Sequence, residues 1–373
     1  MKKNKLKKVF IFLFSFLFIA SATVAGGVLL SGSSYSVPVS ESSGEEIQDN
    51  ENLTNVTANA TEPLNDGNWT DSGNYDTTFA GGTGTESDPY LISTARQLAG
   101  LAYWTNISTS TTYNGSGVYY RQTADIDLSA YWWDSIGAST SSTYNFRGHY
   151  DGDGHTVSGV FTKAGSSTTY NYQGLFGYVR GTSSTNRAEI SNVGVINSNI
   201  QGYRNVGGIA GYAYYTTITN CYNTGTVTGS NSNVGGVVGY NYYSIVTNSY
   251  NTGSVTGSDS NVGGVVGDNY ASSTVSNSYN TGSVTGSSHV GGVVGDNYAS
   301  STVSNSYNTG SVTSSGGNVG GVVGYNYYSI VTNSYNTGSV TGSSSVGGVV
   351  GSNYNSSTVS NSYNTGTVTG SSY

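Results

Sequence analysis

Proline, cysteine and charge are all scarce in this 373-residue chain, and each shortage removes a class of protein. Three prolines exclude collagen, which pairs a strict glycine period with abundant proline, whatever the 54 glycines suggest. A single cysteine, Cys221, excludes a disulfide-stapled scaffold. Charged residues are 9% of the chain, against about 25% in ordinary globular proteins, so a coiled coil and a charged disordered chain are excluded too. Histidine is nearly absent: His149, His155 and His289 are the whole supply. No Gly-x-Ser-x-Gly elbow occurs, so the local signature of a serine hydrolase is missing.

What remains is Ser, Thr and Asn beside Val and 33 Tyr, the composition of strands and turns. An all-β repeat protein is the expectation. The formal net charge of −8 conceals an asymmetry, because Lys2, Lys3, Lys5, Lys7 and Lys8 crowd the first eight positions. Val9 to Ala20 follow, apolar apart from Ser15, and Ala20-Ser21-Ala22 offers a small-residue cleavage site. Residues 1–22 therefore read as a secretory signal peptide. The competing reading is an uncleaved anchor, since apolar and small residues continue to Leu30 and about 20 residues span a bilayer. Beyond the signal, 7 basic against 20 acidic residues leave a balance of −13, which attracts neither nucleic acid nor anionic lipid.

Residues 23–78 read as an acidic spacer with Glu41, Glu45, Glu46, Asp49, Glu51 and Glu62 among Ser, Asn and Thr. Residues 79–205 read as a capping module with the first coils. One amphipathic helix is expected there: Thr94 and Gln97 form a capping box, and Leu98, Leu101 and Ala102 supply the buried stripe. It would lie as a lid on the N-terminal end.

Residues 206–373 repeat. Val-Gly-Gly-(Val/Ile)-(Val/Ala)-Gly begins at Val206, Val234, Val262, Val290, Val319 and Val346. Asn-(Ser/Cys)-Tyr-Asn-Thr-Gly begins at Asn220, Asn248, Asn277, Asn305, Asn333 and Asn361, and (Thr/Ser)-Val-Thr is centred on Val227 and its five successors. Six copies at about 28 residues mean a solenoid. The first Val lies 12 residues before the apolar residue preceding the Asn in three copies and 13 in the others, so that connection and the one before Val-Gly-Gly are corners. The expected coil has three short strands, with Val246, Asn248 and Tyr250 sharing a face at period two. Stacked coils would align Val and Gly inside and bond Asn amides along the stack. Charge would be excluded because identical positions sit a few ångströms apart. After Arg204 the charged residues are Asp259, Asp268 and Asp296, all placed in the variable connections by this reading.

The chain resembles bacterial surface proteins built from GLUG motifs, seen as Gly174-Leu175-Phe176-Gly177, Gly208-Ile209-Ala210-Gly211 and Gly236-Val237-Val238-Gly239, with the same pattern from Gly264, Gly292, Gly321 and Gly348. The stretch from Gly84 to Ile92, then Ala124-Asp125-Ile126-Asp127-Leu128, then Phe146 to Gly152 resembles the module that opens such proteins. The resemblance implies a right-handed parallel β-helix of ~28-residue coils with a short N-terminal capping helix, secreted or at the cell surface. It also touches accessory regions of some immunoglobulin A1-cleaving metallopeptidases. No histidine here is followed by Glu, so their zinc motif does not carry over.

The candidate ligand-binding residues are Tyr214, Tyr242, Tyr270, Tyr298, Tyr327 and Tyr354, each eight residues after a repeat-opening Val and placed in the variable loop. Tyrosine offers apolar area with a polar handle, which suits sugar or protein surfaces; the same rings could instead stack over the corner. A second cluster runs from Asp125 to His155 and includes Asp127, Asp134, Arg147, His149, Asp151 and Asp153. Asp151 and Asp153 are weak metal candidates, set against tight Asp-Gly turns, and lack calcium-loop spacing because Thr162 stands where a glutamate is needed. Cys221 replaces the Ser of other coils and reads as a small ladder residue. No cofactor is expected. The function expected is non-enzymatic, adhesin-like binding of an extracellular glycan or a host or cell-surface protein through repeated Tyr/Asn loops, by avidity. Three alternatives stand beside it: a filament component stacking through its C-terminal end, a polysaccharide-degrading β-helix enzyme, and an ice-binding face made by columns such as Ser254-x-Thr256.

Overall fold

Left-handed residues at fixed intervals, asparagine the commonest of them, turn this chain into coils. A computed structural model describes residues 62–107, 112–138 and 144–371; the signal peptide and most of the acidic spacer lie outside the described residues. The described chain is a parallel β-helix of ten turns, counted by the ten strands of its longest sheet. Every strand pairs in parallel with its counterpart one turn away. Val234 pairs with Val262, Val238 with Val266, Val246 with Val275, Tyr250 with Tyr279 and Val255 with Val284.

Each repeat coil carries five short strands rather than three, for example Val234–Gly235, Val238–Tyr242, Ile245–Thr247, Tyr250–Asn251 and Val255–Gly257. The extra corners are left-handed residues. Asn248 has φ 50°, and so, within a few degrees, do Asn220, Asn277, Asn305, Asn333 and Asn361; Asn tolerates this region better than other non-glycine residues. The turn overturns the period-two reading of Val246, Asn248 and Tyr250. Val246 points in, Asn248 is exposed, and Tyr250 faces outward while Ser249 and Asn251 are buried. The 12- and 13-residue copies differ at another corner: Tyr243 turns it alone at φ 50°, whereas Ala271 and Ser272 share it at 58° and 59°.

The interior changes along the axis. Near the N-terminal end it holds Trp133, Phe146, Tyr150 and Phe176, with Phe146 and Phe176 rings 5.0 Å apart. In the repeats the interior is Val residues such as Val234, Val237, Val238, Val246 and Val255, with Asn and Ser between them, until the last coil, where Val359 and Val368 are exposed. Two asparagine ladders run through this core. Asn223, Asn251, Asn280, Asn308, Asn336 and Asn364 donate in turn, each Nδ2 to the next Oδ1, at 2.7–2.9 Å. Asn241, Asn269, Asn297, Asn326 and Asn353 do the same at 2.7–2.8 Å. Along each ladder the amides supply one another with the partners that water would otherwise provide, while Asn241 Oδ1, at the head of the second, is buried without a donor.

The expected helix is present as Ala95–Ile107, with Leu98, Leu101 and Ala102 buried in the common core. Gln97 N–H donates to Thr94 Oγ1 at 3.2 Å, but Gln97 Oε1 accepts from Ser93 N–H rather than from Thr94. Packing begins before the composition shift at Phe79: Trp69 is buried, and its indole donates to Leu128 O at 2.8 Å. Among the described residues no helix is long and apolar enough to cross a membrane.

Candidate functional site

The candidate tyrosines close five-residue strands, and they stand on a sheet rather than in a loop. In Val238–Tyr242 the alternation sends Asn241 inward to its ladder and Tyr240 and Tyr242 outward. Register then stacks each ring on the next. Tyr214, Tyr242, Tyr270, Tyr298 and Tyr327 have centroids 5.2, 5.3, 5.3 and 4.7 Å apart and planes within 13°. The Arg180 guanidinium lies over the Tyr214 ring at 5.2 Å, a cation–π contact at the N-terminal end. Tyr354 departs from the column: it is 53% exposed and tilts toward Tyr325. The structure therefore replaces the Tyr/Asn loops with a tyrosine flank, since the asparagines are inside and unavailable. Burial raises the phenol of Tyr242 above its ordinary value.

A second tyrosine ladder was hidden in the Asn-Ser-Tyr-Asn motif. Tyr222, Tyr250, Tyr279, Tyr307, Tyr335 and Tyr363 stack at 4.8–5.2 Å with planes within 5°. Its recurrence in every copy was the available signal. The single face expected for Val246, Asn248 and Tyr250 concealed it. In both ladders the ring faces are covered by neighbours, so solvent meets ring edges and hydroxyls.

The charged cluster disperses into local pairs. His149 and Asp151 do share the outer face of one strand, around the buried Tyr150. His149 stacks on Tyr119 at 4.3 Å and lies 3.5 Å from Glu189. Arg121 lies 3.8 Å from Asp151. Glu86, Tyr119, Arg121, His149, Asp151 and Glu189 line one cleft of about 210 Å³. Of these, Glu86, Tyr119, Arg121 and Glu189 were not anticipated, because parallel register joins residues 30 to 40 positions apart without any repeat to signal it.

The other members go elsewhere. His155 pairs with Asp125 at 3.4 Å, and the Thr156 N–H donated to Asp125 lowers that carboxyl. Asp127 accepts from Ser129 N–H. Asp134 is held by Thr70 and Asn68, and burial raises it. Arg147 bonds Asn145. Asp151 Oδ1 accepts from Asp153 N–H at 2.9 Å and Asn192 Nδ2 at 2.8 Å, and Asp153 sits at φ 51° in the turn. This is an Asp-Gly turn with its carboxylate engaged. Among the described residues no group of three His, Cys, Asp or Glu could hold a metal ion.

Cys221 is fully buried, and its backbone N–H donates to Ser249 Oγ as serine does to serine in later coils. Burial pushes the thiol up to about 12. Cys221→Ser should therefore shift stability by less than about 1 kcal/mol, and the native thiol should resist aromatic disulfide reagents until the protein is denatured. Rapid native labelling would contradict this burial.

The GLUG motif matches residues 202–228, 230–256, 315–341 and 342–369. A "Putative Gly-rich membrane protein" of Evansella cellulosilytica is 36% identical over 107 residues, covering 27% of this chain and 11% of that protein. "Halomucin" of Haloquadratum walsbyi is 35% identical over 160 residues, covering 40% of this chain and 2% of that protein. The chain thus spans a small part of both relatives. A crystal structure described as a "putative immunoglobulin A1 protease" from Bacteroides ovatus superposes with a TM-score of 0.55 at 25% identity, over 79% of this chain and 86% of that one.

Proposed function

We propose that this GLUG-repeat parallel β-helix works at the cell surface as a non-enzymatic, adhesin-like module whose tyrosine flank holds an extended extracellular glycan. The observation that carries this reading is the ladder from Tyr214 to Tyr327, with one phenol per coil at 4.7–5.3 Å. That step is close to the length of one sugar residue in an extended glycan. A chain lying along the helix axis would meet an equivalent hydroxyl and ring edge at each residue. Each contact is weak, and their sum is avidity without new chemistry. A cell-surface protein strand with regularly spaced polar groups is the other occupant that fits the same row. The surface setting is supported by the names of the two relatives, a membrane protein and a halomucin.

The cleft beside Arg121 and His149 supports the enzyme alternative less well, because Asp151 is already bonded by Asn192 and Asp153. A polysaccharide lyase or hydrolase there would turn over an acidic polysaccharide and lose that activity in Asp151→Ala.

Tyr242→Ala with Tyr327→Ala should weaken binding to a glycan array or to whole cells by about tenfold or more, since two contacts of ~1 kcal/mol each are removed from one row. The far-UV circular dichroism should remain that of a β-helix. Undiminished binding with a folded double variant removes the proposal.

A further inference from the structure

Two of the three charges beyond Arg204 stand on one outward column, where Tyr240, Asp268, Asp296 and Tyr325 follow one another in paired register. The sequence had suggested variable connections for them; both instead lie inside five-residue strands. Paired strands are about 4.8 Å apart, so the two carboxyls are neighbours across one coil spacing. A second column of left-handed corner residues, Asn233, Asn261 and His289, runs beside them. Asn261 Nδ2 donates to Asp268 Oδ2 at 3.4 Å, and His289 Nδ1 lies 3.4 Å from Asp296 Oδ2. One oxygen of each carboxyl is therefore served.

The other oxygen is not. Oδ1 of Asp268 and Oδ1 of Asp296 are both buried with no hydrogen-bond partner. The remaining groups near the pair are the phenols of Tyr240, Tyr298 and Tyr325, and Arg204, whose charge favours the ionised form of Asp268. His289 also stacks on Tyr325 at 4.6 Å and meets Asn261 Oδ1 at 3.2 Å. None of these supplies a donor to either Oδ1. Two adjacent buried acceptors without a donor are satisfied together by one proton, and two like charges at this separation do not both ionise readily.

We propose that Asp268 and Asp296 hold one proton between them, with the O–H of one carboxyl donated to Oδ1 of the other, as a pH-sensitive clasp joining two coils. Burial raises both carboxyls, and for Asp268 the charge of Asp296 raises it further. Folded values above the unfolded ones mean that the stabilisation is complete below the ordinary carboxyl range, about 4, and is lost as pH rises through the raised values. The stack is held most tightly in mild acid.

The test is thermal unfolding of the full chain by circular dichroism between pH 4.5 and 8.5, in buffer containing EDTA. The wild-type Tm should fall with pH by about 2–4 °C more than that of Asp296→Asn or Asp268→Asn. At pH 8 both variants should melt above wild type, because an amide donates where the carboxylate could not. His289→Asn should keep the fall. Equal slopes in wild type and the Asp variants overturn the proposal, and so does a slope abolished by His289→Asn alone. A wild-type Tm raised at pH 8 by millimolar Ca²⁺ or Mg²⁺, with no rise in Asp296→Asn, also overturns it, because a cation would then bridge the carboxyls. Should the variants fail to fold, carbon-13 NMR of aspartate-labelled protein carrying Asp134→Asn decides, because burial raises Asp134 as well: one aspartate carboxyl protonated at pH 7 supports the clasp, and full ionisation refutes it.

Discussion

Gly264→Ala is expected to be a severely damaging single-methyl change in the repeats, lowering stability by more than about 3 kcal/mol. A Cβ at this position would lie 2.1 Å from the carbonyl oxygen of Gly292 in the next coil and 2.4 Å from Asn280 Cγ. Neither obstacle is the free end of a flexible side chain. The first is backbone already held in the stack, and the second belongs to the buried amide ladder. Relief requires the two coils to part, which breaks the nearest-neighbour contacts on which a solenoid depends. Gly117→Ala is the control. Nothing stands within 4 Å of its Cβ, so its effect should stay within about 0.5 kcal/mol. Thermal melting with hydrogen exchange read coil by coil checks both. Equal Tm values for the two variants would mean that the coils are not packed at this spacing.

Asn280→Leu is expected to cost about 3–5 kcal/mol, although leucine is apolar and the site is fully buried. Asn280 Nδ2 donates both to Asn308 Oδ1 at 2.9 Å and to Gly282 O at 2.7 Å. Its Oδ1 accepts from Asn251 Nδ2 at 2.8 Å and from Gly282 N–H at 3.3 Å. Leucine removes all four bonds, and each buried group left without a partner costs about 1–3 kcal/mol. Asn251 and Asn308 keep their bonds to Gly253 and Gly310, so the loss falls mainly on Gly282. The same substitution at Asn364, which is half-buried, should cost under about 1 kcal/mol because water reaches the groups it abandons. Chemical denaturation of the two variants separates them. Similar losses at Asn280 and Asn364 would show that ladder bonding is not what the interior asparagines contribute.

The solenoid was legible because copies repeat, and a repeat aligns residues of one kind without any knowledge of geometry. The corner that absorbs length changes was legible too, and the structure places it where Tyr243 alternates with Ala271-Ser272. The five-strand coil was not. Val246 to Tyr250 reads as one alternating strand unless the left-handed Asn248 is known to break it, and asparagine occupies extended and left-handed backbone alike. Tyr250 was misplaced for that reason, and the second tyrosine ladder was lost with it. Tyr242 was identified as a candidate but assigned to a loop, because its neighbour Tyr243 turns the corner and the two are identical in sequence. Arg121 and Glu189 were illegible for a different reason: they meet His149 and Asp151 only through parallel pairing in coils that do not repeat.

The amino-acid sequence by itself determined the period, the composition of each column and the scarcity of charge, because stacking multiplies any residue by the number of coils and tolerates few that repel themselves. Only the tertiary structure decided which way each column faces. Facing is set by backbone dihedrals at the corners, where one left-handed residue reverses the alternation that follows, and that reversal turned the repeated asparagine into a ladder inside and the repeated tyrosine into two ladders outside. Proline and charge are scarce in the repeats for related reasons: each strand needs its N–H for the neighbouring coil, and each column sets like beside like. Asp268 and Asp296 are where that pattern is broken.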